Sequence, residues 1–377
     1  MDFSLSEDQR AFAQTAQALF ADYCDDDQLR AFDLSGEPFM SDLWAQCTAM
    51  GLTTMVLPEE AGGLGLGITE LAAVLEQQGR ALALVPLWEQ QLSLAAIVRF
   101  GSRYAHEQWL AEAVSGEKIV TVSLEGNVFG RACLEATREG GAWRLTGLAP
   151  AVPLGAQASR ALLVARRDGA LRLVLVDLAD TAIAVTPGTS QHHLAVADLQ
   201  FEGVRVEDSA WLDEAALAWF EPRAVACLAA LQMGVSARQL ERAVDYVSER
   251  RQFDRVIGTF QLVAGQMADG HIAVEALRTS LAQLVYRLDA GQGALPQGWA
   301  TRWLACEAGH RVGHMAQHVH GGIGVDVTFP IHRFLYWSRV LGLALGGAEH
   351  NLAKLGDWLA NHDTLGWKYD HAEDQTV

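Results

Sequence analysis

The rhythm of apolar and polar positions changes twice along the chain and divides it into three zones. From Ser4 to about Gly116 the period is helical. Ser6-Glu-Asp-Gln9 resembles a capping box, with Ser6 at the cap and Gln9 three residues on. Apolar side chains then recur at Phe12, Ala16, Leu19 and Phe20, one face of a helix. Further helical stretches are expected over roughly 39–50, 69–83, 86–101 and 104–115, with a loop from Pro58 to Gly67.

From about Lys118 to Trp211 the segments IVTVSL, WRLTG, RALLVARR, LRLVLVDL, IAVTP and LQFEGVRV are short β-branched runs broken by Gly, Asp or Pro. No helical pattern lies between them to make a crossover, so they predict an antiparallel sandwich or barrel. Helix returns after about Asp213, in Ala215–Arg250, Thr259–Ala290, Pro296–Val319 and Pro330–Asn361. Segments of that length predict a bundle. The expected fold is therefore α+β and multidomain. An N-terminal all-α domain covers 1–117, a central antiparallel β domain 118–212, a C-terminal four-helix bundle 213–362, and a polar, frayed tail 363–377.

Composition narrows the function. The 377 residues are 50% hydrophobic, enough for large cores and against wholesale disorder. With 28 Lys+Arg against 46 Asp+Glu, the net charge of −18 repels phosphate backbones and disfavours nucleic acid as a primary partner. Cys24, Cys47, Cys133, Cys227 and Cys306 are scattered, odd in number and without a CxxC pair, as in a reducing compartment. The N-terminal MDFSLSEDQRAFAQ carries acids where a signal peptide needs bases, and no apolar run reaches the ~20 residues that span a bilayer. A soluble cytoplasmic protein is expected.

Four motifs bear on chemistry. Gly62-Gly-Leu-Gly-Leu-Gly67 lacks both a preceding strand and dinucleotide-binding spacing, so it reads as a structural turn. His310, His314 and His318 repeat at i, i+4 and i+8 with Glu307 at i−3. A di-iron bundle needs a second Glu-x-x-His and more carboxylates, so these side chains read as packing and polar contacts between helices, with no metal. Glu249-Arg-Arg-Gln-Phe-Asp254 ends the first long bundle helix. Arg there pairs bidentately with phosphate or carboxylate, and Phe stacks on a flat ring, although a solvated helix end looks the same. His320-Gly-Gly-Ile-Gly324 breaks two helices, where glycines admit another backbone or a pyrophosphate.

Taken in order, GLTTMVLPEEAGGLGLG, ERRQFDRVIGTFQLVAGQMAD and AQHVHGGIGVDVTFP resemble the acyl-CoA dehydrogenase family, from about Phe3 to Leu359. The resemblance implies FAD as cofactor and desaturation of an acyl-CoA between its α and β carbons. In the family a glutamate takes the α proton while a hydride leaves the β carbon for the flavin. It also implies a shared site, in which one subunit cradles the isoalloxazine and its neighbour holds the ADP half.

On that resemblance Arg250 and Phe253 match the family's Arg-x-x-Phe with Gln252 between them, Gln261 follows in the next helix, and Gly321 and Gly322 match the glycine pair near the adenosine. His318 stands where the family usually has Gln. The flavin-ring positions depart from the pattern. Ser123-Leu-Glu-Gly-Asn127 is too short for the family loop, and Ala151 and Pro153 occupy the places of a Trp and a Thr. The two family positions for the base fall on Leu345 and Ala224; Glu349 and Glu221, each about one turn away (~5 Å), are the candidate substitutes.

What a neighbour's flavin needs is kept, and what the chain's own flavin needs is missing. That asymmetry resembles companion subunits of the α2β2 acyl-CoA dehydrogenases of steroid side-chain degradation. It implies a second acyl-CoA dehydrogenase-like subunit carrying the base, a sterol or other bulky acyl-CoA as substrate, and an acceptor such as an electron-transfer flavoprotein. Two other readings remain: a homomeric acyl-CoA dehydrogenase with a relocated catalytic Glu, and a catalytically inactive assembly protein of the same fold.

Overall fold

Ser6 caps the first helix of the computed structural model. Its hydroxyl accepts from the Gln9 N–H at 3.1 Å, and the Gln9 side chain accepts from the Ser6 N–H at 2.9 Å. The structure describes residues 6–102, 110–128 and 133–362. Its helices are α1 (Glu7–Tyr23), α2 (Asp26–Ser35), α3 (Ser41–Ala49), α4 (Ile68–Ala81), α5 (Leu87–Phe100), α6 (Leu110–Val114), α7 (Ala216–Glu249), α8 (Gln261–Asp289), α9 (Leu295–His320), α10 (Ile331–Leu343) and α11 (Gly347–Ala360). The strands are β1 (Val120–Ser123), β2 (Leu134–Glu139), β3 (Ala142–Pro153), β4 (Arg160–Arg167), β5 (Ala170–Asp177), β6 (Ile183–Thr189) and β7 (Ala195–Val206), with β8 (Arg251–Gln252) and β9 (Arg255–Val256) as a separate hairpin.

Among the described residues, contacts divide the chain into two units, one within 32–71 and 84–224, the other within 6–31, 72–83 and 225–362. The first is built on the sheet, in the order β1-β4-β2-β3-β7-β6 with β5 also on β4. The expectation of a purely antiparallel sheet is corrected here. β1 and β2 both pair parallel with β4, Val120 opposite Arg160 and Leu134 opposite Ala165. They follow one another along one edge of β4. The β2–β3 hairpin makes the crossover, so no helix is needed to run two strands the same way. The remaining pairings are antiparallel.

Inward residues of this sheet, among them Leu145, Val152, Leu163, Val174, Leu199 and Phe201, form one core together with Trp211. The alternation slips in β7, where Phe201 and Val204 are both buried, because a register shift lies opposite at Leu145/Thr146. In the same unit every residue from Leu87 to Ile97 of α5 is buried. Gln90 bonds the Ala113 carbonyl (2.8 Å) and the Val120 N–H (2.7 Å); Gln91 bonds the Leu52 carbonyl (2.9 Å) and the Val56 N–H (3.2 Å). Burial pushes the Glu89 carboxyl up to about 8. Turn chemistry explains the Gly62–Gly67 segment: a Cβ on Gly63 would lie 2.2 Å from the Leu57 carbonyl oxygen.

The other unit is helical. Asp25 opens α2 with a second capping box, its carboxylate accepting from the Gln28 N–H at 2.8 Å while Gln28 accepts from the Asp25 N–H at 2.9 Å. α4 and α7 cross backbone to backbone at a pair of glycines. A Cβ on Gly79 would sit 2.1 Å from the Leu231 carbonyl oxygen, and one on Gly234 1.9 Å from that of Glu76. Arg80 straps the same pair of helices with a bidentate bond to Glu241, both at 2.8 Å.

A four-helix bundle was the expectation for 213–362. The fourth segment is two helices, α10 and α11, because Leu345, Gly346 and Gly347 all take positive φ (52°, 78° and 69°). Buried Arg302 donates to the Leu341 and Ala344 carbonyls and so caps α10. Asn351 donates to the carbonyls of Leu345 (2.9 Å) and Gly347 (2.7 Å) from the far side of the kink. The tail after His362 lies outside the described residues, as do residues 103–109 of the stretch read as helix over 104–115.

Candidate functional site

α7 ends at Glu249, and the chain turns back through β8 and β9, with Arg251 opposite Val256 and Gln252 opposite Arg255. The two turn residues, Phe253 (φ 51°) and Asp254 (φ 62°), are both left-handed, as a two-residue hairpin requires. Asn-Gly is the usual solution. A phenylalanine there is strained by roughly 1–3 kcal/mol, and its ring is 87% exposed. A bulky apolar ring held in an unfavourable conformation and presented to solvent makes the hairpin a candidate binding element. The hairpin is braced from below: Arg255 lies 3.8 Å from the centroid of Phe260, whose ring meets Phe253 edge-on at 6.3 Å. The Ile257 N–H donates to the Arg250 carbonyl at 2.8 Å.

The end of α9 reaches the same place. His320, buried, stacks on Tyr246 of α7 with centroids 4.1 Å apart, and its Nδ1 bonds the Ala316 carbonyl at 2.7 Å. Burial holds its pKa below the ordinary value, so the ring is neutral near pH 7. His318 is exposed, its Nδ1 3.2 Å from the Gln266 amide of α8. Arg250, Gln252, Phe253, Gln261, His318, Gly321 and Gly322 thus lie at one end of the bundle, where α7, α8 and α9 are tied together. Tyr246, Gln266 and His320 do the tying. Sequence reading did not find them as a group, although Tyr246 lies one turn before Arg250 and His320 adjoins Gly321.

This end is chemically open. No described residue bonds the side chains of Arg250, Gln252 or Gln261. Gly321 has φ 62° and ψ −138°, a conformation that side chains avoid, and a Cβ on Gly321 or Gly322 would meet nothing within 4 Å. Among the described residues neither glycine makes room for a neighbour, so the backbone there is open to a ligand. Guanidinium, exposed backbone and a flat ring fit a pyrophosphate-linked nucleotide such as the ADP half of FAD.

The positions expected to meet a flavin ring lie in the sheet-bearing unit and do not fit one. Ala151 is left-handed (φ 48°), and its N–H donates to the Asp198 carboxylate at 2.8 Å. Pro153 has no N–H, and its carbonyl accepts from the Thr121 hydroxyl at 2.6 Å. Ser123, the last residue of β1, is buried, and in the loop that follows the Asn127 amide donates to Glu221 at 3.0 Å. Of the two substitute bases, Glu221 is half-buried beside that amide, and Glu349 is exposed in the first turn of α11. Ala224 is fully buried, and Leu345 sits at the left-handed kink.

Of the histidines spaced at i, i+4 and i+8 on α9, His318 makes a polar contact to α8, whereas His310 and His314 are exposed and face each other. Among the described residues no group of three or more His, Cys, Asp or Glu side chains is arranged to hold a metal, and no helix is long and apolar enough to cross a membrane.

Comparison with known proteins covers both helical ends of the chain. Residues 6–117 match the model of the acyl-CoA dehydrogenase N-terminal domain, and residues 223–360 that of the C-terminal domain. Acyl-CoA dehydrogenase FadE27 of Mycobacterium tuberculosis is 34% identical over 370 residues, spanning 96% of this chain and 99% of that one. A chain of the ChsE4–ChsE5 complex of the same organism superposes with a TM-score of 0.90 at 34% identity, over 96% of this chain and all of that one (100%). A chain of the Tcur3481–Tcur3483 steroid acyl-CoA dehydrogenase gives 0.88 at 35% identity, over 95% and 99%.

Proposed function

Because the chain belongs to the acyl-CoA dehydrogenase family, we propose that it is the companion subunit of a heteromeric FAD-dependent acyl-CoA dehydrogenase. In this reading it holds the ADP half of an FAD shared across a subunit interface. The second acyl-CoA dehydrogenase-like subunit contributes the flavin-ring site and the catalytic base. Homologues of this fold are solved with FAD or FADH2 bound. When bound, the flavin supplies the acceptor for the hydride lost from the acyl chain.

One observation carries the reading. The open, cationic end of the bundle and the internally bonded end of β3 differ in the sense that half a shared site demands. Arg250 would pair with the pyrophosphate, Phe253 would pack on a flat part of the nucleotide, and the backbone at Gly321–Gly322 would lie against the adenosine. Glu221, held by Asn127, has the surroundings of a structural carboxylate. The family's reaction, α,β-desaturation of an acyl-CoA, is then a property of the assembly, an α2β2 tetramer. Two relatives are solved in complexes of two named chains, one of them a steroid acyl-CoA dehydrogenase; by that likeness the substrate is a bulky, sterol-type acyl-CoA. An electron-transfer flavoprotein is the acceptor we favour, and the cytoplasm the site of action.

Co-expression with the candidate partner subunit and flavin analysis of the purified complex test this. The expected result is half as many flavins as chains, with no flavin on either chain alone. A chain that purifies by itself with stoichiometric FAD and oxidises acyl-CoA overturns it.

A further inference from the structure

Two turns before the glycine break, His310 and His314 stand on one face of α9 as an i, i+4 pair. Both are exposed, and neither takes part in the cofactor reading above. Their ring centroids are 4.5 Å apart with planes inclined at 56°. Two imidazoles this close on a helix gain little from each other as neutral rings, and as imidazolium ions they repel.

The separation suits a shared cation. A metal bound about 2.1 Å from one nitrogen of each ring lies about 3.2 Å from each centroid when it is in both ring planes. Centroids 4.5 Å apart then correspond to an N–metal–N angle of roughly 90°. That is the angle between adjacent positions of an octahedron or a square plane, not of a tetrahedron. We propose that His310 and His314 form a two-imidazole site for a first-row divalent transition cation, with water in the remaining coordination positions.

Both rings reach solvent from one face of α9, and Arg339 of α10 is itself exposed, so its charge is screened by solvent.

Calorimetric titration of the untagged full-length chain with nickel(II) chloride at pH 7.5 tests the site, beside His310→Ala, His314→Ala and His271→Ala. The last removes an exposed histidine from α8 as a control. A single saturable equivalent in the wild type and His271→Ala is expected, with affinity reduced at least about tenfold in each of the other two. Because both rings are exposed, melting curves of the variants should overlay that of the wild type. No saturable binding in the wild type, or binding that both substitutions leave unchanged, overturns the proposal. Flavin content does not enter the readout, so the outcome is separate from that of the cofactor assignment.

Discussion

The bundle end around Arg250 and the end of β3 around Ala151 both carry left-handed residues, yet they treat their polar groups in opposite ways. At the bundle end the guanidinium and the amides of Gln252 and Gln261 meet no described residue, and Phe253 sits in a strained conformation with its ring in solvent. In the second region Ala151 is bonded to Asp198, Pro153 to Thr121, and Asn127 to Glu221. Strain alone does not distinguish them, since Ala151 and Leu154 are left-handed too. The difference is whether the strained backbone presents something unmet. On the function proposed above, one half of a binding site is kept while the other is closed, with no change of architecture.

The largest expected effect tests whether the sheet-bearing unit is as internally satisfied as the end of β3 implies. Buried Glu89 is an exception, and its folded pKa of about 8 lies well above the ordinary 4.5. The folded state keeps a proton that the unfolded chain releases, so stability falls as pH rises from about 4.5 to about 8. Glu89→Gln should therefore match the wild type near pH 4.5 and exceed it on the order of a few kcal/mol at pH 8, read by urea denaturation. Parallel curves for the two proteins across that range would show the carboxyl to be better solvated than its burial implies.

Next in size is Arg250→Ala. In the assembled complex, FAD retention should drop about ten- to a hundredfold, the worth of one charge-assisted hydrogen-bonded contact, about 1.5–3 kcal/mol. The melting temperature of the isolated chain should not move. Equal FAD retention in the variant would erase the contrast between the two regions.

The hairpin gives a smaller effect of mixed sign. Replacing Phe253-Asp254 by Asn-Gly relieves the left-handed strain and should raise chain stability by about 1 kcal/mol, while FAD retention falls. A variant that gains stability and keeps its flavin would reduce Phe253 to a tolerated oddity. The smallest effect is expected for Glu221→Gln, about 0.5 kcal/mol of stability from the weakened bond to Asn127. Turnover of the complex should remain within about twofold; abolished turnover with flavin retained would move the base to this chain.

Much of this was legible along the chain, and the gaps have physical causes. The Ser6–Gln9 cap and the limits of β4 (Arg160–Arg167) followed from local pattern. β2 escaped notice because LEATRE buries little beyond Leu134 and so shows no alternation. The parallel pairing of β1 with β4 is set by a connection 30-odd residues long, which no local period records. Splitting of the last helix was hidden because Leu345 is an ordinary helix former; only the neighbouring glycines and the bonds from Arg302 and Asn351 impose the kink. Arg250 and Gly321 lie in contiguous motifs and could be picked out, whereas the Tyr246–His320 stack joins residues 74 positions apart.

The kink at Leu345 also bears on how such a chain can drift. Its geometry is imposed by Gly346 and Gly347, by Asn351 on one side and by Arg302 on the other, and the Leu345 side chain itself is only half-buried. A residue exchanged at such a position changes what the surface can do while the bundle stays folded. Duplicated subunits can therefore part company at a single codon, one copy losing a chemical group and the pair still assembling.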